Sequence, residues 1–312
     1  MTDSRATVGR SSRAALAIAS AGFVLLWNSG FIGAEFGLPY SGPFTMLFWR
    51  YLALTAVTAA IVLARGEMRR VGWRHVRAVA IVGVLSHGVW LSCVLVSIDR
   101  GVPAGIVSLV VALQPLLTGA FSGVATGERT TVQQWVGLVI GFAGVGVAVG
   151  GRLTGGTPAA TGYYLLPFGS AAAITIASLI QRRRELEGSG ASLPLALQLL
   201  IQSAATTLAL LVPALALESL ETEWVAPYVA SMVWLVLAVS LGAYALMWRL
   251  LAFSSATRIA SLFFLGPPVT MLMAWAAFGD TVVATDLLGL AVAGSGVMLV
   301  TVEALKLRKK RG

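Results

Sequence analysis

Few residues in this chain could do chemistry, and those that could stand inside long apolar stretches. His87 and Trp90 are three residues apart, a spacing that turns both toward one side of a helix. Trp27 and Asn28, Gln114, and Tyr244 with Trp248 add aromatic faces and amide groups; Trp27 and Phe31, like Tyr244 and Trp248, are one turn apart. Arg50 stands about 9 Å into an apolar stretch that starts at Phe44, at a rise of about 1.5 Å per residue. Polar and ionisable groups are costly to bury there, which makes them the first candidates for a binding site.

Each candidate also has a plain structural use. The histidine either hydrogen-bonds a neighbouring helix or touches a solute or a proton. Arg50 either snorkels outward along its stem or holds a fixed positive charge that attracts a carboxylate. Arg249, close to the end of its stretch, reads as a snorkelling residue, and any one of the aromatics can be packing. Pro115 and the pair Pro267-Pro268 interrupt two apolar stretches and free backbone carbonyls, either as simple kinks or as flexing points beside a cavity.

The set excludes several chemistries. It holds no paired carboxylates within a stretch, no HExxH, no His/Cys cluster and no Ser/His/Asp set, so neither metal, cofactor nor enzymatic activity is expected. Cys93, the only cysteine, lies in an apolar run and can form no internal disulfide. A bare inorganic ion would want carboxylates at mid-depth, and none is there. Aromatic faces and amides suit a small organic solute better.

What must position these residues follows from composition. The sequence is 57% hydrophobic and only 11% charged, against about 45–50% and about 25% in soluble domains. Stretches of about twenty residues lack charge on every face, which calls for lipid rather than a soluble core. The net charge of +9 does not point to nucleic acid, because the basic residues lie in short loops without a basic, aromatic-lined groove. The N-terminal apolar run continues well past Ala19-Ser20-Ala21, so it is expected to be a retained helix rather than a cleaved leader.

Windows of about twenty apolar residues predict ten spans: 14–32, 44–64, 78–98, 102–124, 132–149, 162–180, 195–217, 229–252, 259–278 and 282–302. One set of connections carries Arg5, Arg10, Arg13, Arg65, Arg69, Arg70, Arg74, Arg77, Arg129, Arg182, Arg183, Arg184, Arg258 and the tail from Lys306 to Arg311. The alternate set has only Arg100 and Arg152, with Glu35, Asp99, Glu218, Glu221, Glu223, Asp280 and Asp286. By the positive-inside rule both termini are cytoplasmic, which requires an even number of spans.

A repeat organises the whole. Gln114-Pro115, Gly127-Glu128, Gly137 and Gly144 recur 152 residues later as Gly266-Pro267, Gly279-Asp280, Gly289 and Gly296. Two units, 1–150 and 151–312, would each hold five helices; because five is odd, the second enters the membrane from the opposite side. The expected fold is thus all-α and membrane-integral, with ten helices in two inverted five-helix repeats.

These residues resemble the EamA-type family of the drug/metabolite transporter superfamily. Its halves each end in a proline-containing helix, a short Gly-acid turn and a Gly-rich last helix; Asp280 stands where the acid is usually Glu. The resemblance implies a bacterial inner-membrane secondary transporter that exports an amino acid, related metabolite or drug by alternating access. Its partners would be the bilayer, the small-molecule substrate and a possible coupling proton. Glu128 and Asp280, each just before a final helix, read as structural charges at a helix start. A membrane enzyme acting on lipid and a non-transporting scaffold are the alternatives. The residues leave the solute, its direction and the oligomeric state open.

Overall fold

The computed structural model of the chain describes residues 3–127, 131–153, 161–187, 193–253 and 262–311. Glu128, Arg129, Arg258 and the expected start of the ninth span lie outside them, as do the side chains of Arg5, Arg10, Arg13 and the tail after Val300. Among the described residues every regular element is helical, and the one strand-like contact is an isolated antiparallel bridge between Ser41 and Thr222.

Eight segments are long and apolar enough to cross a membrane. They comprise α1 (Asp3–Gly37, apolar from Ala15), α2 (Pro43–Ala64), α3 (Trp73–Asp99), the α4–α5 pair (Ala104–Val111 and Gln114–Thr126), α6 (Val132–Leu153), α7 (Gly162–Leu186), α8 (Leu195–Glu218) and α9 (Ala226–Leu250). Two more helices follow, α10 (Gly266–Phe278) and α11 (Ala284–Arg311), the latter apolar over Ala284–Val300. The outer surface carries large exposed apolar side chains such as Leu208, Val212, Trp275 and Met298, a face suited to lipid.

The fourth expected span is not one helix. It breaks at Ala112-Leu113, where the Leu113 amide donates to the Val110 carbonyl at 3.1 Å and tightens the turn; α5 then starts with Pro115 in its first turn. There a missing N–H costs nothing, because that donor would have no helical partner. The same device recurs at α10: Leu265 donates to Leu262 at 3.1 Å, and Pro267 and Pro268 sit in the first turn. Both helices end on a left-handed glycine, Gly127 at φ 70° and Gly279 at φ 74°, the conformation that closes a helix without a side-chain penalty. The prolines therefore begin helices after a break, where continuous kinked helices were expected.

Packing follows from small residues. α2 lies along α8 and α6 along α11, while α1 packs on α9 and α10 and α7 packs on α3, α4 and α5. At the α6–α11 crossing no side chain fits: a Cβ on Gly137 would stand 2.7 Å from the Gly296 carbonyl, and one on Gly144 would stand 2.6 Å from that of Gly289. Met46, Leu47, Leu95, Leu109 and Leu235 fill the core between these pairs.

Candidate substrate cavity

α3 and α9 each contain a π-helical stretch, Val84–Val89 and Trp234–Ala243. A wider turn of this kind re-aims side chains and leaves carbonyls loosely held, and it is common at functional sites. The first stretch carries Ser86 and His87, the second Ser240 and Leu241, and all four face a cavity of about 550 Å³. That volume is within the roughly 300–1,000 Å³ typical of small-molecule pockets.

Trp27, Asn28, His87, Trp90, Gln114, Tyr244 and Trp248 all line this cavity, as do Pro115 and Pro267. Trp27 is its aromatic centre: it stacks on Trp90 at 6.2 Å, tilts against Tyr244 at 5.4 Å and meets Phe263 edge-on at 5.1 Å. Asn28 is buried; its amide donates to the Val24 carbonyl at 2.7 Å, and its oxygen accepts from the Thr270 hydroxyl at 3.1 Å. Gly266 has no side chain where Asn28 sits, since a Cβ there would lie 2.9 Å from the amide oxygen. Gln114 donates to Thr118 at 3.0 Å and reaches Ser178 at 3.4 Å. His87 meets the Gln202 amide at 3.4 Å and packs its ring 5.5 Å from Tyr51.

Arg50 is buried, not snorkelling: only 5% of it is exposed, and it lines a recess of about 40 Å³ that shares Trp27, His87, Trp90 and Tyr244 with the main cavity. Arg249 is exposed, as a snorkelling residue would be. Pro268 shares the first turn of α10 with Pro267 but does not line the cavity. Gln202, Ser240, Phe263 and Thr58 line it without having been singled out in the sequence. Gln202 and Ser240 carried the same signal as Asn28, a polar group in mid-span; Phe263 carried none.

The cavity widens toward Arg65, Gln181, Leu195 and Gln198, beside a second space of about 350 Å³ bordered by His75, Arg184 and Glu185. The other end is sealed. There the Glu218 carboxylate accepts from the Phe44 amide at 3.1 Å and the Thr45 amide at 2.7 Å, capping the start of α2. Trp49 donates to Thr222 at 3.1 Å, Glu223 donates to the Tyr40 carbonyl at 2.8 Å, and Phe36 meets Phe278 at 4.6 Å. Arg152 pairs with the buried Asp286. Beside that pair, burial raises the Asp280 carboxyl above the usual aspartate range against the opposing pull of Arg152.

Apolar helices of spanning length around one cavity, open at a basic end and closed at an acidic one, define a multi-pass membrane protein of the transporter class. Residues 14–150 match the EamA-like transporter family, so the chain carries an EamA-type domain. Over 284 residues it is 25% identical to the uncharacterized transporter YvbV of Bacillus subtilis (strain 168), covering 90% of each chain. Over 132 residues it is 33% identical to the uncharacterized inner membrane transporter YedA of Escherichia coli (strain K12), covering 42% of each. A crystal structure of a protein superposes with a TM-score of 0.63 over 94% of this chain and 99% of that one; at 21% identity the likeness is one of fold.

Proposed function

We propose that this protein is a secondary transporter that exports a small organic solute across a bacterial inner membrane by alternating access. The observation that carries the proposal is an aromatic and amide-lined cavity, with the far end closed by contacts between the first and second halves of the chain. A lipid enzyme would need a reactive constellation at a membrane surface, and a scaffold has no use for a cavity of this size.

The architecture we infer is ten spans in two inverted units, 1–150 and 151–312, with both termini in the cytoplasm. Support comes from features that keep the offset of 152. The breaks at 112–113 and 264–265 and the glycines 127 and 279 keep it, and the π stretches fall at nearly the same spacing. Thr55 and Thr207, themselves 152 apart, meet hydroxyl to hydroxyl at 3.4 Å, as residues beside a two-fold axis would. The packing is exchange-symmetric as well: α1 sits on α9 and α10 as α7 sits on α3 and α5.

In this reading Trp27, Trp90, Tyr244 and Trp248 stack on the solute, Asn28, Gln114 and His87 hydrogen-bond it, and the helix starts at Pro115 and Pro267 move against the cavity during turnover. Reconstitution into liposomes with labelled amino acids, nucleosides and drugs tests the function. Trp90→Ala should weaken apparent affinity about tenfold, the order expected for one lost aromatic contact. If His87 relays a coupling proton, His87→Gln removes the acceleration by a pH gradient and leaves solute exchange intact, since glutamine hydrogen-bonds but cannot titrate. Uptake, affinity and pH response unchanged in both variants would overturn the site.

A further inference from the structure

The recess at the closed end of the cavity holds two buried donors with nothing to donate to. Among the described residues neither the Arg50 Nε nor the Trp90 Nε1 has a hydrogen-bond partner, and both residues, 5% and 7% exposed, line the same space of about 40 Å³. Arg50 makes one hydrogen bond, from Nη2 to the Ser240 hydroxyl at 3.0 Å, and lies 5.8 Å from the Tyr51 ring centre. Among the described residues no carboxylate comes within 4.0 Å of it. Among the described residues Asp and Glu are also missing from the lining of the recess and of the main cavity, while at the mouth Arg65 has Glu67 4.0 Å away.

A buried guanidinium without a counter-ion costs several kcal/mol, and a buried donor without an acceptor adds to that. Both costs vanish if an anionic acceptor enters the recess. Arginine presents its donors in a planar fork that matches a carboxylate, and the indole N–H stands ready as a third donor. The recess has room for only a few atoms, while the aromatic cluster of Trp27, Tyr244 and Phe263 stands beside it in the wider cavity. Counted along α2 at about 1.5 Å per residue, Arg65 at the mouth lies about 22 Å from Arg50; Glu67 stands 4.0 Å from Arg65, so the charge without a counter-ion that an anion meets is the one at the floor.

We infer that the transported solute is an organic acid, whose carboxylate docks between Arg50 and Trp90 and whose apolar or aromatic body stacks in the cavity. This rests on the transport reading above and deepens it. Among the described residues no acidic side chain lines the cavity to receive an ammonium group, so a monocarboxylate fits better than a zwitterion, and an organic cation is repelled.

The test compares probes of one shape and different charge. The purified protein in nanodiscs is titrated with 3-phenylpropionate, 3-phenylpropanamide, phenylalanine and 3-phenylpropylamine, with tryptophan fluorescence as the readout, and the same compounds are followed by counterflow in liposomes. The carboxylate should bind about tenfold or more tighter than the amide, as expected for a charge-assisted pair. Arg50→Lys should keep a reduced preference and Arg50→Gln should abolish it. Equal binding of acid and amide by the wild type overturns the inference without needing any variant, which covers the case that Arg50→Gln does not fold. Uptake of amide or amine but not of acids overturns it while leaving the transport reading intact. If no probe of any charge binds or moves, both fall. If chloride alone protects the protein as well as 3-phenylpropionate does, the recess is a halide site and the organic acid is excluded.

Discussion

The two ends of this molecule are closed by different means. At the acidic end, residues distant in sequence are joined by directional contacts: Glu218 on the first amides of α2, Thr222 on Ser41 and Trp49, Glu223 on Tyr40. At the basic end the termini of the same two helices, Arg65 after α2 and Leu195 opening α8, face each other across the cavity mouth, and among the described residues no hydrogen bond joins them. Beside that mouth Arg184 meets His75 at 2.9 Å. Yet Glu67 follows α2 much as Glu218 ends α8, 151 residues apart; among the described residues one of its carboxylate oxygens is buried without a hydrogen bond, and it pairs with Arg65 at 4.0 Å. An acidic group near each end, capping a helix start at one of them, is what the proposed alternating access calls for.

The largest expected effect comes from locking the sealed end. In a Cys93→Ser background, Ser41→Cys with Thr222→Cys places two thiols where hydroxyls now stand 3.4 Å apart on paired backbone, within disulfide reach. Oxidation should abolish counterflow and reduction restore it, with solute binding from the basic side preserved. Transport at wild-type rate through the oxidised protein would mean that this end never has to open.

Glu218→Gln is expected to do less. It removes a charge from a helix start and weakens two charge-assisted hydrogen bonds, worth about 1–2 kcal/mol together, so the ratio of sealed to open protein should fall about tenfold. A cysteine at Glu221 then reacts faster with an impermeant maleimide added to intact cells; an unchanged rate would show that the carboxylate does not hold the seal. The smallest effect belongs to Asp280. Its carboxyl is raised by burial, so ionising it costs the folded state more than the unfolded one. Asp280→Asn should therefore raise the melting temperature as pH climbs above the ordinary aspartate range and make no difference at lower pH, where both states carry a neutral group. A wild-type advantage at neutral pH would reverse the sign and point to Arg152 as the dominant neighbour.

The helical, membrane-crossing character of the chain was legible because each span must satisfy its own backbone in lipid, and that demand writes itself as runs of uncharged residues. Asn28, His87 and Gln114 were legible as cavity-facing candidates for a related reason: polar atoms in such runs need somewhere to point. The breaks before Pro115 and Pro267 were harder to place, because a proline in an apolar run reads as a kink until the turn before it is seen tightening between Val110 and Leu113. The π stretches left no trace, since Val84–Val89 differs from its flanks in no residue type that forbids an α-turn. Arg50 was ambiguous on position alone. Whether an arginine two turns into a helix reaches water or turns inward depends on what stands opposite, and here that is Ser240, 190 residues away.

The glycine crossing of α6 and α11 has a mechanical consequence. Gly137 and Gly144 meet Gly296 and Gly289 backbone to backbone, while beyond these contacts Gln133 donates to the Leu299 carbonyl at 3.1 Å and Arg152 pairs with Asp286. Such a joint behaves as a pinned axle: main-chain atoms in close contact resist its being pulled apart, and the polar contacts near its two ends resist one helix turning on the other. The two helices are then expected to travel as one unit, and a leucine at Gly144 would act as a wedge that forces them apart before any solute is touched.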